Sequence, residues 1–157
     1  MKQRTKKIIR YIGTALFVVY VLALMYMLFF SEDYGRASEL GREYRYNLEL
    51  FAEIRRFWIY REQVGYRAFL SNIFGNVVGF VPFGFILPII LRQYRNGFLT
   101  ILSGFGVSLL VESIQLMTRV GCFDVDDLLL NTMGAAVGYL LFIICDHFRR
   151  KYYGKTI

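Results

Sequence analysis

Residues 98–117 read FLTILSGFGVSLLVESIQLM, twenty positions that carry a single charge, Glu112. A run of about twenty predominantly apolar residues is what a helix needs to cross the hydrocarbon core of a bilayer. Within and just beyond this run Gly104, Ser108, Glu112, Gln115 and Arg119 recur at offsets of 4, 4, 3 and 4. That spacing predicts one stripe on one helix face. A carboxylate at mid-bilayer costs about 2.5 kcal/mol or more, so Glu112 requires a partner and marks a candidate site.

Three more runs have spanning character, at about 8–30, 70–91 and 128–145. With 157 residues, 56% of them apolar and 18% aromatic, the chain reads as one small membrane domain over 1–157. Lipid offers no partners for unpaired backbone, so the expected fold is all-α, with four transmembrane helices. The first run has a basic start but a long apolar core and no clear small-residue cleavage site, so it reads as a retained anchor.

Charge sets the expected orientation. All five lysines and eleven of the nineteen basic residues lie inside if both termini face the cytoplasm, as the positive-inside rule prefers. The 31–69 loop is then outside, with seven arginines and seven acids. The expected location is a bacterial cytoplasmic membrane, with N and C termini cytoplasmic. The net charge of +7 comes without zinc-finger spacing, an RNA-binding aromatic motif or a phosphate loop. It therefore predicts attraction to anionic lipids, not nucleic acid. Cys122 and Cys145 flank the fourth run, and twenty-three residues of mostly helix span about 30 Å, far beyond disulfide reach.

Three of the four runs carry a polar end that grades into small residues on the same side. In the second, Asn72, Asn76 and Gly79 share a face, and Pro82 removes a backbone hydrogen bond and predicts a kink near Val78. In the fourth, Asp127, Asn131, Gly134 and Gly138 recur at 4, 3 and 4, the glycines forming a G-x-x-x-G pair suited to close helix approach. The first run, with Gly13, Thr14 and aromatic hydroxyls, reads as a lipid-facing anchor. Packing the other three along their small faces gathers Asn72, Asn76, Glu112, Gln115, Arg119, Asp124, Asp126, Asp127 and Asn131 at the outer surface. Glu112 would lie about 7–8 Å below Met117. Blander roles accompany each residue: Asp124 or Asp126 as a helix cap, Asn72 and Asn76 as interhelical glue, Glu112 with Arg119 as a structural ion pair. In the outer loop, Leu50, Phe51, Ile54, Phe57 and Trp58 recur at helical spacing with Glu49, Glu53 and Arg56 opposite. They predict an amphipathic helix in the outer interface that either roofs the cluster or simply connects.

With these residues in place, the chain resembles the VanZ-like family of bacterial membrane proteins. The likeness is carried by Ser71–Asn76 (SNIFGN), Phe80–Phe85 (FVPFGF), Glu112–Gln115 (ESIQ), Arg119, Asp124–Asp127 (DVDD), Asn131–Gly134 (NTMG) and Gly138, in order across about residues 46–145. Relatives commonly carry proline where this chain has Leu50. The family's namesake is associated with low-level resistance to teicoplanin-type lipoglycopeptides, so the resemblance implies action at the outer leaflet, where cell-wall precursors are exposed.

Two functions from different classes follow. In one, the protein is a non-enzymatic module whose polar cluster binds membrane lipid headgroups, a lipid-linked cell-wall precursor or a lipoglycopeptide, with Arg119, Asn72 and Asn76 contacting phosphate or carboxylate. In the other, it is an intramembrane enzyme on a lipid-linked substrate. Glu112 would then be the catalytic acid or base, and Asp124, Asp126 and Asp127 oxygen ligands for a divalent cation. The sole histidine, His147, lies at the opposite end, so no serine–histidine–acid set exists. A structural or transporter subunit is a third reading, and transport by so thin a bundle would need an oligomer.

Overall fold

The computed structural model describes residues 3–30, 44–64, 66–119 and 121–154; the parts of the predicted outer loop at 31–43 lie outside them. The chain is almost entirely helical: α1 (Gln3–Phe30), α2 (Ala52–Ile59), α3 (Arg61–Val64), α4 (Tyr66–Ile90), a 3₁₀ turn (Arg92–Arg95), α5 (Gly97–Thr118) and α6 (Val125–Tyr153). Two residue pairs, β1 (Tyr46–Asn47) and β2 (Phe123–Asp124), form a short parallel bridge with Tyr46 opposite Phe123 and Asn47 opposite Asp124.

Four helices are long and apolar enough to cross a membrane: Lys7–Phe29, Asn72–Ile90, Gly97–Thr118 and Val125–Tyr152. They coincide with the predicted runs except that the fourth is longer at both ends. Its start moves from 128 to 125 because Asp126 and Asp127 sit comfortably in a first turn, where carboxylates face unsatisfied N–H groups. Helix α4 continues through both Pro82 and Pro88.

Helix α6 is the spine, packed chiefly on α4 and then on α5. Glycines make the contact with α4 possible. A Cβ on Gly134 would run into the Val77 carbonyl, one on Gly138 into the Val81 carbonyl, and one on Gly84 into the Ala135 carbonyl. On the α5 side, a Cβ on Gly104 would lie 2.5 Å from the Ala135 methyl. Helices this close gain van der Waals contact, which is what drives association where lipid removes the hydrophobic incentive. The predicted G-x-x-x-G face is therefore used, and Gly84 supplies the reciprocal approach from α4.

The reading of α1 as a purely lipid-facing anchor is corrected. Most of the helix is exposed, but one face lies on α4: Gly13 is buried against Ile89 and Ile90, Phe17 packs on Phe83, and the Tyr20 hydroxyl donates to the Gly79 carbonyl at 2.8 Å. The tyrosine hydroxyl serves as an interhelical donor rather than an interfacial anchor, because α4 exposes a carbonyl at a glycine where no side chain covers it.

Candidate functional site

The polar residues gather at one end of the bundle, where α4 and α6 begin and α5 ends. Helix α5 stops because Arg119 takes the left-handed conformation, φ 56°, with its N–H returned to the Gln115 and Leu116 carbonyls. Gly121 packs on the Gln115 side chain as the chain reverses into β2. Asp124 then caps α6: it is extended, and its Oδ1 accepts the Asp126 N–H at 2.8 Å. The Asp124 N–H is donated to Glu112 Oε2 at 3.1 Å, and Asn47 Nδ2 lies 3.3 and 3.4 Å from the two Asp124 oxygens. Burial raises the Asp124 pKa, opposed by the Asp126 N–H and Asn47 and assisted by the Asp126 charge.

Asp126 is fully buried and caps α2 from a different helix. Helix α2 begins after Phe51, which sits at φ 66° and offers no side-chain cap. Asp126 Oδ1 accepts the Phe51 N–H at 2.5 Å, and Oδ2 accepts those of Glu53 and Ile54 at 2.9 and 3.1 Å. A carboxylate from α6 thus satisfies the orphan donors of a helix over seventy residues away in sequence. A phenylalanine held left-handed costs about 1–2 kcal/mol, and these charge-assisted bonds offset it.

The remaining predicted residues split between glue and surface. Asn76, buried, donates Nδ2 to Asp127 Oδ1 and joins α4 to α6. Asn131, also buried, donates Nδ2 to Ser108 Oγ at 2.9 Å and joins α6 to α5. Gln115 donates Nε2 to the Leu28 carbonyl at 3.1 Å, satisfying the end of α1. Asn72 is half-buried on α4. Arg119 is exposed and its guanidinium lies 4.3 Å from the Tyr44 ring centroid, a cation–π contact. The structure brings Glu112 to the Asp124 amide and Arg119 to Tyr44. Among the described residues no three carboxylate, cysteine or histidine side chains are grouped as a metal ion would need. The D-x-D-D run at 124–127 supplies helix caps and an interhelical tie.

The open feature lies above this cluster. A groove of about 650 Å³ is lined by Tyr44, Arg45, Tyr46, Asn47, Ala52, Glu53, Arg56 and Cys122. Glu53 joins groove to cluster: it pairs with Arg56 at 2.6 Å, and burial raises its pKa, which Arg56 lowers and the charges of Asp124 and Asp126 raise further. Glu53 and Arg56 lie on the side of α2 opposite its apolar residues, as their spacing predicts. In the structure that polar side faces the groove, while Leu50, Phe51, Trp58 and Ile59 stay exposed. The signal was present in Glu53 and Arg56 at helical spacing beside an acidic cluster. For Asn47 it was the Asn-x-Glu turn, whose Glu49 N–H reaches Asn47 Oδ1 at 3.1 Å. Nothing in the sequence flagged Tyr44 or Arg45.

Residues 17–146 match the family described as VanZ/LLP1. Among curated proteins, a relative named Protein VanZ from Enterococcus faecium is 26% identical over 152 residues, covering 93% of this chain and 83% of its own. No solved structure matches.

Proposed function

The chain belongs to the VanZ/LLP1 family, and from that premise we propose that it is a multi-pass module of the bacterial cytoplasmic membrane that holds the polar head of an amphiphile in the groove beside α2. The observation that carries the reading is the division of labour at this end of the bundle. Glu112, Asp124, Asp126, Asp127, Asn76 and Asn131 all have partners within the protein, whereas Arg45, Arg56, Glu53 and the tyrosines Tyr44 and Tyr46 line the open space above them. Arginine suits phosphate and carboxylate, and tyrosine presents an apolar ring with a polar tip. Such a lining suits a lipid headgroup, a lipid-linked cell-wall precursor or a lipoglycopeptide, whose apolar tail would lie among the exposed side chains of α2. The buried acids set the shape of the groove, and Arg119, stacked on Tyr44, fixes one wall. The family association with teicoplanin-type resistance supports an outward-facing groove, as does the basic N-terminus.

Two measurements test the reading. Binding of a teicoplanin-type lipoglycopeptide, and separately of vesicles made from bacterial phospholipid with and without a polyprenyl-linked precursor, should weaken in Arg45→Gln/Arg56→Gln. Equal affinity of wild type and double variant for every probe would sink the groove assignment. For the orientation, a cysteine introduced at Gly41 should react with an impermeant thiol reagent on intact cells; reaction only after permeabilisation would put the groove in the cytosol.

A further inference from the structure

The opposite end of the bundle holds an unsatisfied guanidinium. The 3₁₀ turn Arg92–Arg95 joins α4 to α5 and is fastened from three sides. The Tyr139 hydroxyl of α6 donates to the Arg95 carbonyl at 2.5 Å, Thr100 Oγ1 donates to the Tyr94 carbonyl at 2.5 Å, and the Asn96 side chain caps α5 by accepting from the Phe98 and Leu99 amides. The turn thus lies against α6 at Tyr139, two helical turns before Asp146. The Asp146 Oδ1 accepts from Arg149 at 2.6 Å and its Oδ2 accepts from Arg150 at 2.6 Å.

Arg95 comes within electrostatic reach of Asp146, whose oxygens are turned to Arg149 and Arg150. Its Nε and Nη2 are buried and have no hydrogen-bond partner, and the Nε of Arg10, on α1, is in the same condition. Burial lowers the Arg95 pKa; Asp146 partly offsets this, and Arg92, Arg149 and Arg150 lower it again. Arg149 and Arg150 hold the Asp146 carboxylate, and Arg95 feels the charges of both as well as that of Arg92. A buried charged donor left without an acceptor is among the more expensive features a fold can carry. The side chain as a whole is only half-buried, so it is reachable from the surface. Its place, between the last residue of one span and the first of the next, is where a bilayer leaflet holds its phosphates.

We propose that Arg95, with Arg92 and Arg149 beside it, forms a binding site for a phosphate anion, supplied by the headgroup of an anionic phospholipid. A phosphate supplies the acceptors that Arg95 Nε and Nη2 lack, and guanidinium suits it in planar, two-pronged contact. This site is independent of the groove beside α2 and stands whether or not that groove binds an amphiphile.

The test uses the full chain in phosphatidylcholine nanodiscs, with phosphatidylglycerol titrated in and, in a parallel arm, inorganic phosphate. Wild type should melt at progressively higher temperature as phosphatidylglycerol rises. Arg95→Gln should lose most of that gain, with apparent affinity weaker by about tenfold or more. Arg4→Gln, which removes the same charge from an exposed position on α1, should keep it. A matching gain from inorganic phosphate would make free phosphate the ligand of the same site. Should Arg95→Gln not fold in phosphatidylcholine, Arg92→Gln provides the same comparison. No gain from either probe, or equal gains in wild type, Arg95→Gln and Arg92→Gln, overturns the proposal.

Discussion

Replacing Asp126 by asparagine tests how α2 is held over the groove. In the native protein one carboxylate accepts three N–H groups, Phe51 on Oδ1 and Glu53 and Ile54 on Oδ2. Asparagine keeps a single oxygen. In its better orientation it retains the Glu53 and Ile54 bonds without their charge assistance, and it turns an NH₂ group toward the Phe51 N–H. Loss of one charge-assisted bond and weakening of two more costs about 3 kcal/mol, taking each at about 1.5–3 kcal/mol in full strength. The loss falls on α2 first, since that short helix has no buried residues of its own, and the spanning helices keep their glycine contacts. Amide hydrogen exchange at Phe51, Glu53 and Ile54 should therefore accelerate by about a hundredfold, at about tenfold per 1.4 kcal/mol, while α4 and α6 amides near Gly84 and Gly134 change little. Unchanged exchange at those three amides would refute the claim that Asp126 holds α2.

The other consequences are smaller. Alanine at Gly134 or Gly138 drives a Cβ into the Val77 or Val81 carbonyl and should cost about 1–3 kcal/mol, lowering the melting temperature in detergent. Alanine at Gly13 meets Ile90 at an ordinary 3.6 Å and should melt within a degree or two of wild type; equal melting of all three variants would contradict the packing account. Burial raises the pKa of Glu53 and of Asp124 above their unfolded values, so the folded state holds protons that the unfolded chain releases. Their contribution to stability is therefore greatest at acid pH and declines as pH rises from about 4 through the raised values. Glu53→Gln should flatten that decline in melting curves taken from about pH 4 upward, and a steeper decline in the variant would reverse the sign.

Much of this arrangement was legible in the sequence, for identifiable reasons. The spans follow from hydropathy alone, and the glycine face of α6 from a spacing of four that only a helix interprets. The Asp124 cap is local, two residues from the N–H it accepts. What escaped is long-range. Asp126 reads as an ordinary first-turn acid until α2, over seventy residues earlier, is laid across it. The β1–β2 bridge is two residues on each side, too short for any alternation to show. The Tyr20–Gly79 bond depends on a bare carbonyl that no pattern of side chains announces. The spacing puts Glu53 on the polar side of α2 but does not say what that side faces, and at this end of the bundle it faces the groove and the acids below it.

The central claim is that the groove lined by Arg45, Glu53 and Arg56, and not the buried acids beneath it, meets the ligand. A cryo-electron-microscopy map of the protein held in its native lipid tests this directly. The expected density is an amphiphile with its headgroup in the groove, within hydrogen-bonding distance of Arg45 or Arg56, and its tail beside α2. A headgroup bound instead among Glu112, Asp127 and Asn131, with the groove holding only water, would contradict it.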